Sequence, residues 1–526
     1  MSGCPGKCAP GPTGAVLVLA LAVAFAAVSA ALAQAPAASD APAPPPRVLL
    51  GTPSDTPIDP DSEPGLPDRA GSSLTLAEVL LSVHAYYPLV YAAEQERIVA
   101  DGKLLSARGS FDLNLQASEG TNQGTYNNHR TDVGLQQPLA FMGASVFAGY
   151  RLGDGLFPTY YLDRLTADGG EFRAGLLLPL LRNRAIDSRR AGVQKSSIDR
   201  DVAAPSIQLQ RIDISRNASR TYWLWVAAGH RVRIARQVLD IAERRDSQLA
   251  LLIKQGRLAP IERVDNQRTI VDRQAKLVAA TRFQQQSAIA LSLYLRDPLG
   301  NPVVPDLNRL PAFPDLPELP TEEALQRDLQ VALGRRPELQ RWQLLRERTE
   351  VELRQAENQY LPALNLSLRG AQDAGGGSSS LSGPNGLNRA AYEAAVLMEM
   401  PVQRREARGR ALAARGTLAQ IRAQEQMARD RIGAELRDAV SIMSQAVDLE
   451  GRARDAVRLT RQMEQAEGSR YKRGQSNMLL VTIREIMTAE AQFQQVDALA
   501  EFFRGLADYF AAIGVDPSMP ADQRHP

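Results

Sequence analysis

Only two cysteines occur in 526 residues, Cys4 and Cys8, and both stand before the longest apolar run of the chain. Disulfide frameworks and thiol chemistry are therefore excluded from everything downstream of that run. Histidine is nearly as scarce: His84, His129, His230 and His525 are scattered, and no His-Glu-x-x-His, cysteine ligand set, Gly-x-x-x-x-Gly-Lys or Gly-x-Ser-x-Gly accompanies them. No catalytic, metal or cofactor constellation can be assembled from such a sequence. An excess of one charge is missing too, since 61 Lys+Arg against 59 Asp+Glu leaves a formal +2 and no footprint for nucleic acid. Aromatics make up 5%, few for a thick core and suited instead to narrow helix seams of Ala, Leu, Val and Ile.

What is present begins with an unbroken stretch of apolar and small residues from Gly14 to Ala33, after the single early cation Lys7. Its Ala31-Leu-Ala33 end predicts a signal peptide over 1–33, cut after Ala33; a retained anchor is the alternative, because the run is long enough to span a membrane. Both cysteines leave with it, so no cysteine is available for lipid attachment at the new N-terminus. Residues 34–73 are rich in proline and alanine, a composition that cannot bury enough apolar surface to fold, and are expected to form a disordered tether.

The rest of the chain repeats itself. Leu76-Ala-Glu-Val-Leu80 leads through Tyr87-Pro88 to Phe111-Asp-Leu-Asn-Leu115, and Thr321-Glu-Glu-Ala-Leu325 leads through Arg336-Pro337 to Tyr360-Leu-Pro-Ala-Leu364. Each reads as a helix feeding a strand, and the first helix is expected from about Thr75 to Arg108, interrupted at Pro88. Lys254-Gln-Gly256-Arg and Lys472-Arg-Gly474-Gln, each followed by a long polar helix, continue the parallel. Residues 74–296 and 321–515 are thus two copies of one unit, joined by a connector at 297–320 and followed by a short tail at 516–526. Seven prolines make that connector semi-rigid and extended.

Period-two alternation marks four strands. Phe111, Leu113, Leu115 and Ala117 line one face of the first, and Leu364, Leu366 and Leu368 one face of its counterpart. The returning strands are Phe172 to Leu180, with Phe172, Ala174, Leu176 and Leu178 on one face, and Tyr392 to Met400, with Tyr392, Ala394, Val396 and Met398. Gly375 to Asn388 reads as an exposed loop. The first unit also carries an insert, 131–169, in which Thr131 to Leu139 and Ala144 to Leu152 resemble further strands. The expectation is a loop excursion rather than an addition to the sheet.

Long helical rods follow the returning strands: 206–255 lacks proline, and so does 402–516. At 1.5 Å per residue the former would reach roughly 75 Å. Leu239, Ala242, Leu249 and Leu252 form a stripe expected to face a neighbouring helix, as do Ala275, Val278, Arg282, Gln286 and Leu293. Gly256 and Gly474, each behind basic residues, end the rods where helical hairpins turn back. Tyr222, Trp223 and Trp225 are read as seam packing.

Four strands, or six, cannot close a membrane barrel, which needs at least about eight, and open edges are not tolerated in lipid. Strands of this kind either cap soluble helices or are shared among several chains.

At this point the sequence resembles the TolC-like outer-membrane efflux protein family (outer membrane factors), from about Leu74 to Val515. The resemblance rests on Leu74-Thr-Leu-x-Glu78, the Pro88 and Pro337 positions, Ala356-Glu-Asn-Gln-Tyr-Leu-Pro362, Leu178-Pro-Leu-Leu181 and Met400-Pro-Val402. It rests also on Arg470-Tyr-x-x-Gly474 and Leu506-Ala-Asp-Tyr-x-x-Ala-Ile-Gly514. It implies a mainly α fold with a transmembrane β portion: long helical hairpins (an α-barrel) continuing a trimeric 12-stranded β-barrel, four strands per protomer. It implies a homotrimer in outer-membrane lipid, a passive exit duct of a tripartite efflux or type I secretion system. The helical part would lie in the periplasm and dock a periplasmic adaptor (membrane fusion) protein and an inner-membrane transporter.

Carried over by position, the resemblance makes Gly256, Arg257 and Leu258, with Gly474, Gln475 and Ser476, the adaptor-docking tips. It makes Glu262, with Asp265 one turn on, a possible gate. The second unit departs from that pattern, with Leu480 and Ile483 at the equivalent positions, so the resemblance implies a less acidic constriction. Two rivals stand beside this reading: a periplasmic coiled-coil or adaptor-like structural protein, and an envelope enzyme, which the missing catalytic motifs disfavour.

Overall fold

The computed structural model describes residues 73–158, 165–375 and 390–515; the leader, nearly all of the tether, the loop after Gly375 and the tail lie outside the described residues. The chain divides into two compact units. One comprises Ala100–Arg200 and Leu345–Gln420 and holds the sheet; the other comprises residues 73–99, Asp201–Leu344 and residues 421–515 and is helical.

Both halves of the sequence open in the same way. Helix α1 (Leu76–Tyr86) is capped by Thr75, whose Oγ1 accepts from the Glu78 N–H at 3.2 Å, and it stops at Tyr87 because Pro88 starts helix α2 (Pro88–Arg108). Helix α5 (Glu322–Arg335) is capped by Thr321, which accepts from the Ala324 N–H at 3.2 Å, and ends at Arg336 before α6 (Pro337–Asn358). A turn of 3-10 helix, Gly109–Phe111, then delivers the chain to strand β1 (Asn114–Asn122). The first strand therefore starts later than its alternation suggests, and Phe111 belongs to that turn.

The sheet has six antiparallel strands in sequence order. After β1 come β2 (Asn128–Pro138), β3 (Ser145–Gly155), β4 (Glu171–Pro179), β5 (Ala363–Asp373) and β6 (Ala391–Glu399). The loop-excursion expectation for 131–169 is thus corrected. Strands β2 and β3 pair over eleven positions, β2 pairs with β1 over nine, and β3 pairs with β4 over seven, so the insert lies within the sheet. The physical reason is that both inserted segments alternate and a turn closes them, with the Leu139 N–H donating to Ala144 O at 2.8 Å. Among the described residues the chain's sheet accordingly has six strands, not four.

Strand order also fixes the ends of the sheet. The β2–β3 turn, residues 139–144, lies at the end where β1 begins and β4 finishes, and the β1–β2 connection, residues 123–127, lies at the other end.

Helix α3 (Ser188–Lys254, 67 residues) and α7 (Arg405–Lys472, 68 residues) are the rods, returning as α4 (Pro260–Ser292) and α8 (Met478–Ile513). The rod expected from Ser206 begins already at Ser188 and carries Pro205 inside. Proline there removes one intrahelical hydrogen bond, a local cost that the remaining turns of the rod outweigh.

The helical unit is centred on aromatic residues that the sequence marks as seam packing. Trp225 is fully buried, and Trp223 stacks on Phe503 at 4.3 Å and on Phe313 of the proline-rich connector at 6.0 Å. Arg336 explains its place in the recurring Arg-Pro pair. It is buried against the end of α8, donating to Ala511 O at 2.6 Å and pairing with Glu338 and Glu435, while Gly514 in the left-handed conformation closes that helix beside it.

Candidate functional site

The sheet has two chemically different faces. Register carries one face across all six strands through Leu115, Leu135, Ala148, Ala174, Gly370 and Tyr392. Alternation then adds Val133, Val146, Tyr150, Phe172, Leu176, Leu178, Leu364, Leu366, Leu368, Val396 and Met398 to the same face. Carboxylates reach it only towards one rim, at Glu119 and Asp154, beside His129. Three of the apolar sets read from the sequence thus fall together, joined from the first set by Leu115 and Ala117 alone. Tyr150 and Phe172, with ring centroids 5.3 Å apart, sit with Tyr392 towards that rim, and Phe141 stands exposed on the turn at the opposite end.

The other face is polar and charged. Arg173 of β4 pairs with Asp132 of β2 at 2.6 Å, across β3, whose position opposite Arg173 is Gly149. Arg130 joins Asp132 at 2.5 Å, and Arg151 of β3 joins Glu171 of β4 at 2.6 Å. The ion-pair chain therefore ties the inserted hairpin to β4. Asn114, Gln116 and Ser118 on β1, Asn365, Ser367 and Arg369 on β5, and Glu393 and Glu399 on β6 continue this face.

In the helical unit the two hairpin tips share one geometry. Gly256 has φ +70° and Gly474 φ +73°. At each, the glycine N–H donates to the carbonyl three residues back, Ile253 or Tyr471, at 2.9 Å. The following N–H, of Arg257 or Gln475, donates five residues back, to Leu252 at 3.0 Å or Arg470 at 2.9 Å. This double closure is a Schellman turn, which favours glycine at its left-handed position. Arg257 and Gln475 are exposed, Leu258 is half-buried, and Ser476 donates to Glu467. The next helices start on Pro260 and on the Asn477 cap, whose side chain accepts from the Leu480 N–H at 3.0 Å.

Open space surrounds a Cβ added at either glycine, so a substitution there meets a backbone cost alone. Gly256→Val is expected to lower stability by about 1–2 kcal/mol and Gly256→Asn by much less, measured by denaturant unfolding. Equal costs for the two would contradict the left-handed turn.

Of the two gate candidates, Glu262 lies in the first turn of α4, and its charge, second to burial, raises the Tyr471 hydroxyl above its ordinary value. The two tips are therefore neighbours. Asp265 instead pairs with Arg268 at 3.2 Å on its own helix.

Sequence reading missed the cluster beyond them. Glu485 of α8, buried, accepts from Arg245 of α3 and from Arg273 of α4, the latter at 2.6 Å, and Arg273 also donates to Val238 O at 2.7 Å. Burial lowers the Arg245 guanidinium, and burial with the charge of Arg245 brings Arg273 down to about 10. Arg245 stands eleven residues before Gly256 and Glu485 eleven after Gly474, roughly 16 Å from each tip along its helix. A groove of about 560 Å³ on α3, α4 and α8 has Arg273 in its wall.

Helix α4 also corrects an expected seam. Ala275, Val278, Arg282, Gln286 and Leu293 are exposed, while the buried stripe is largely polar: Asn266, Thr269, Arg273, Gln284, Ser287, Ala288 and Leu291. Ile261, Val264, Val271 and Val278 leave an apolar row facing outward, three of them at seven-residue spacing. Among the described residues no single helix is long and apolar enough to cross a membrane, and no group of acidic, histidine or cysteine side chains could hold a metal.

Long helical hairpins and an antiparallel sheet that does not close on itself make up the fold of the described residues. No family model and no curated protein matches the sequence. Solved structures do match the fold. The outer-membrane channel OprN is 14% identical, with a TM-score of 0.60 over 84% of this chain and 89% of its own. VceC, an outer membrane protein from Vibrio cholerae, is 15% identical at 0.60, over 84% of this chain and 96% of its own. The CmeC outer membrane channel of Campylobacter jejuni is 12% identical at 0.60, over 88% and 94%. The chain has their fold, as the resemblance read from its motifs implies.

Proposed function

We propose that this chain is the protomer of a passive outer-membrane exit channel for efflux or secretion, a homotrimer with its helical hairpins in the periplasm. The observation that carries the reading is the two-faced, unclosed sheet: one face apolar and uncharged away from one rim, as lipid requires, and the other polar and charged, as a watery lumen requires. Its fold is shared with solved outer-membrane channels, which supports the same reading.

The exposed row Ile261, Val264, Val271 and Val278 supports assembly from several copies, because a heptad-spaced apolar stripe on a rod serves a neighbouring helix. The tips built on Gly256, Arg257, Leu258, Gly474, Gln475 and Ser476 are the surface offered to a periplasmic adaptor protein, coupling the duct to an inner-membrane transporter. Glu262 contributes charge at the constriction, with Leu480 and Ile483 facing the equivalent level of the second hairpin. The channel hydrolyses nothing.

Cell fractionation tests this. The protein should partition with the outer membrane and run as a heat-modifiable trimer on a detergent gel, and its deletion should abolish export of a cargo. A periplasmic coiled-coil protein would instead appear in the soluble fraction without heat modification, and that result would overturn the reading.

A further inference from the structure

We infer that the β2–β3 hairpin is part of the membrane wall and that β1 of one copy receives β6 of the next, so that three copies close a barrel of eighteen strands. The inference rests on the trimeric-channel reading above and adds the composition of the wall, three times six strands.

Edge chemistry points to a second copy of this chain as the occupant. Strands β1 and β6 are each nine residues long, and every residue of β1 is exposed. A row of unpaired backbone groups on a strand of that length is a template for another strand, and in lipid it must be filled. All five pairings are antiparallel, so with an even number of strands β1 and β6 run in opposite directions. A neighbour related by rotation about an axis normal to the membrane then meets β1 with an antiparallel β6, and repetition closes a ring.

Side-chain phase agrees. Tyr392, Ala394, Val396 and Met398 of β6 and Leu115 and Ala117 of β1 lie on the same apolar face, so the join continues the lipid-facing band without a step.

Three features hold the hairpin in that wall. Its strands pair with each other over eleven positions, with β1 over nine and with β4 over seven, so the hairpin is flanked by sheet on both sides. The Arg130–Asp132–Arg173 and Arg151–Glu171 pairs lock β2 and β3 to β4 on the polar face. Val133, Leu135, Val146 and Ala148 meanwhile continue the apolar face. Barrel diameter grows roughly linearly with strand number, so the outer-membrane section is about half again as wide as a twelve-stranded one.

Cryo-electron microscopy of the trimer in lipid nanodiscs counts the strands. Eighteen are expected, with Arg151 and Arg173 facing the lumen. Twelve, with β2 and β3 outside the wall, would overturn the inference and leave the channel reading standing. Absence of any membrane-embedded particle would overturn both. Ser118→Cys combined in turn with Glu393→Cys, Ala395→Cys and Leu397→Cys scans the β1–β6 register. One pairing should give covalent dimers and trimers on oxidation in membranes, and monomer throughout would overturn the join.

Discussion

Glu485→Ala is expected to lower stability by about 3–5 kcal/mol, because it leaves two guanidinium groups buried without their shared carboxylate. Arg273 and Glu485 are 4% and 5% exposed, so water cannot take the place of the lost partner. Breaking a buried ion cluster from one side costs far more than removing it whole. The triple variant Arg245→Met, Glu485→Leu, Arg273→Met should therefore recover most of the loss. Chemical unfolding of the detergent-solubilised protein reads both. A single variant within 1 kcal/mol of the parent would show that the cluster is solvated. The cluster ties α3 and α4 to α8 about three turns from both tips, so the single variant should also loosen the tips to proteolysis.

Val396→Arg and Leu397→Arg are expected to behave oppositely although the residues are adjacent. Both are more than half exposed, at 63% and 52%, so neither change disturbs packing within the chain. Side chains alternate along a strand, which puts Val396 on the apolar face and Leu397 with Glu393 and Glu399 on the polar one. An arginine facing lipid near mid-membrane costs about 2–4 kcal/mol per chain, and the cost recurs in every copy, whereas an arginine facing a watery lumen costs little. Heat-modifiable trimer in the outer-membrane fraction should fall sharply for the first variant and persist for the second. Equal behaviour of the two would contradict the assignment of faces.

Much of the architecture was legible because period and punctuation are local. Thr75 and Thr321 mark helix starts, Pro88 and Pro337 divide helices, Gly256 and Gly474 turn them back, and Leu364, Leu366 and Leu368 alternate as a strand should. The placement of β2 and β3 was not legible, since the same alternation suits a strand in a sheet and one in a separate hairpin. Only the pairing of β3 with β4 decides between them.

The buried stripe of α4 eluded a hydrophobicity argument for a related reason. Arg273 and Asn266 go inward because Glu485 and the Ala242 carbonyl, far away in sequence, satisfy them, while Val264, Val271 and Val278 face away from their own chain. Glu485 itself carries no local signal, and its role appears only when three helices meet. At the tips, glycine chemistry was readable but the nearness of Glu262 to Tyr471 was not.

The central claim is that one chain has too little sheet to seal a pore and completes it with identical neighbours. Native mass spectrometry of the particle released from lipid nanodiscs tests this most directly. The mass of three chains with bound lipid is expected, and a single chain stably embedded in lipid would contradict assembly from identical neighbours.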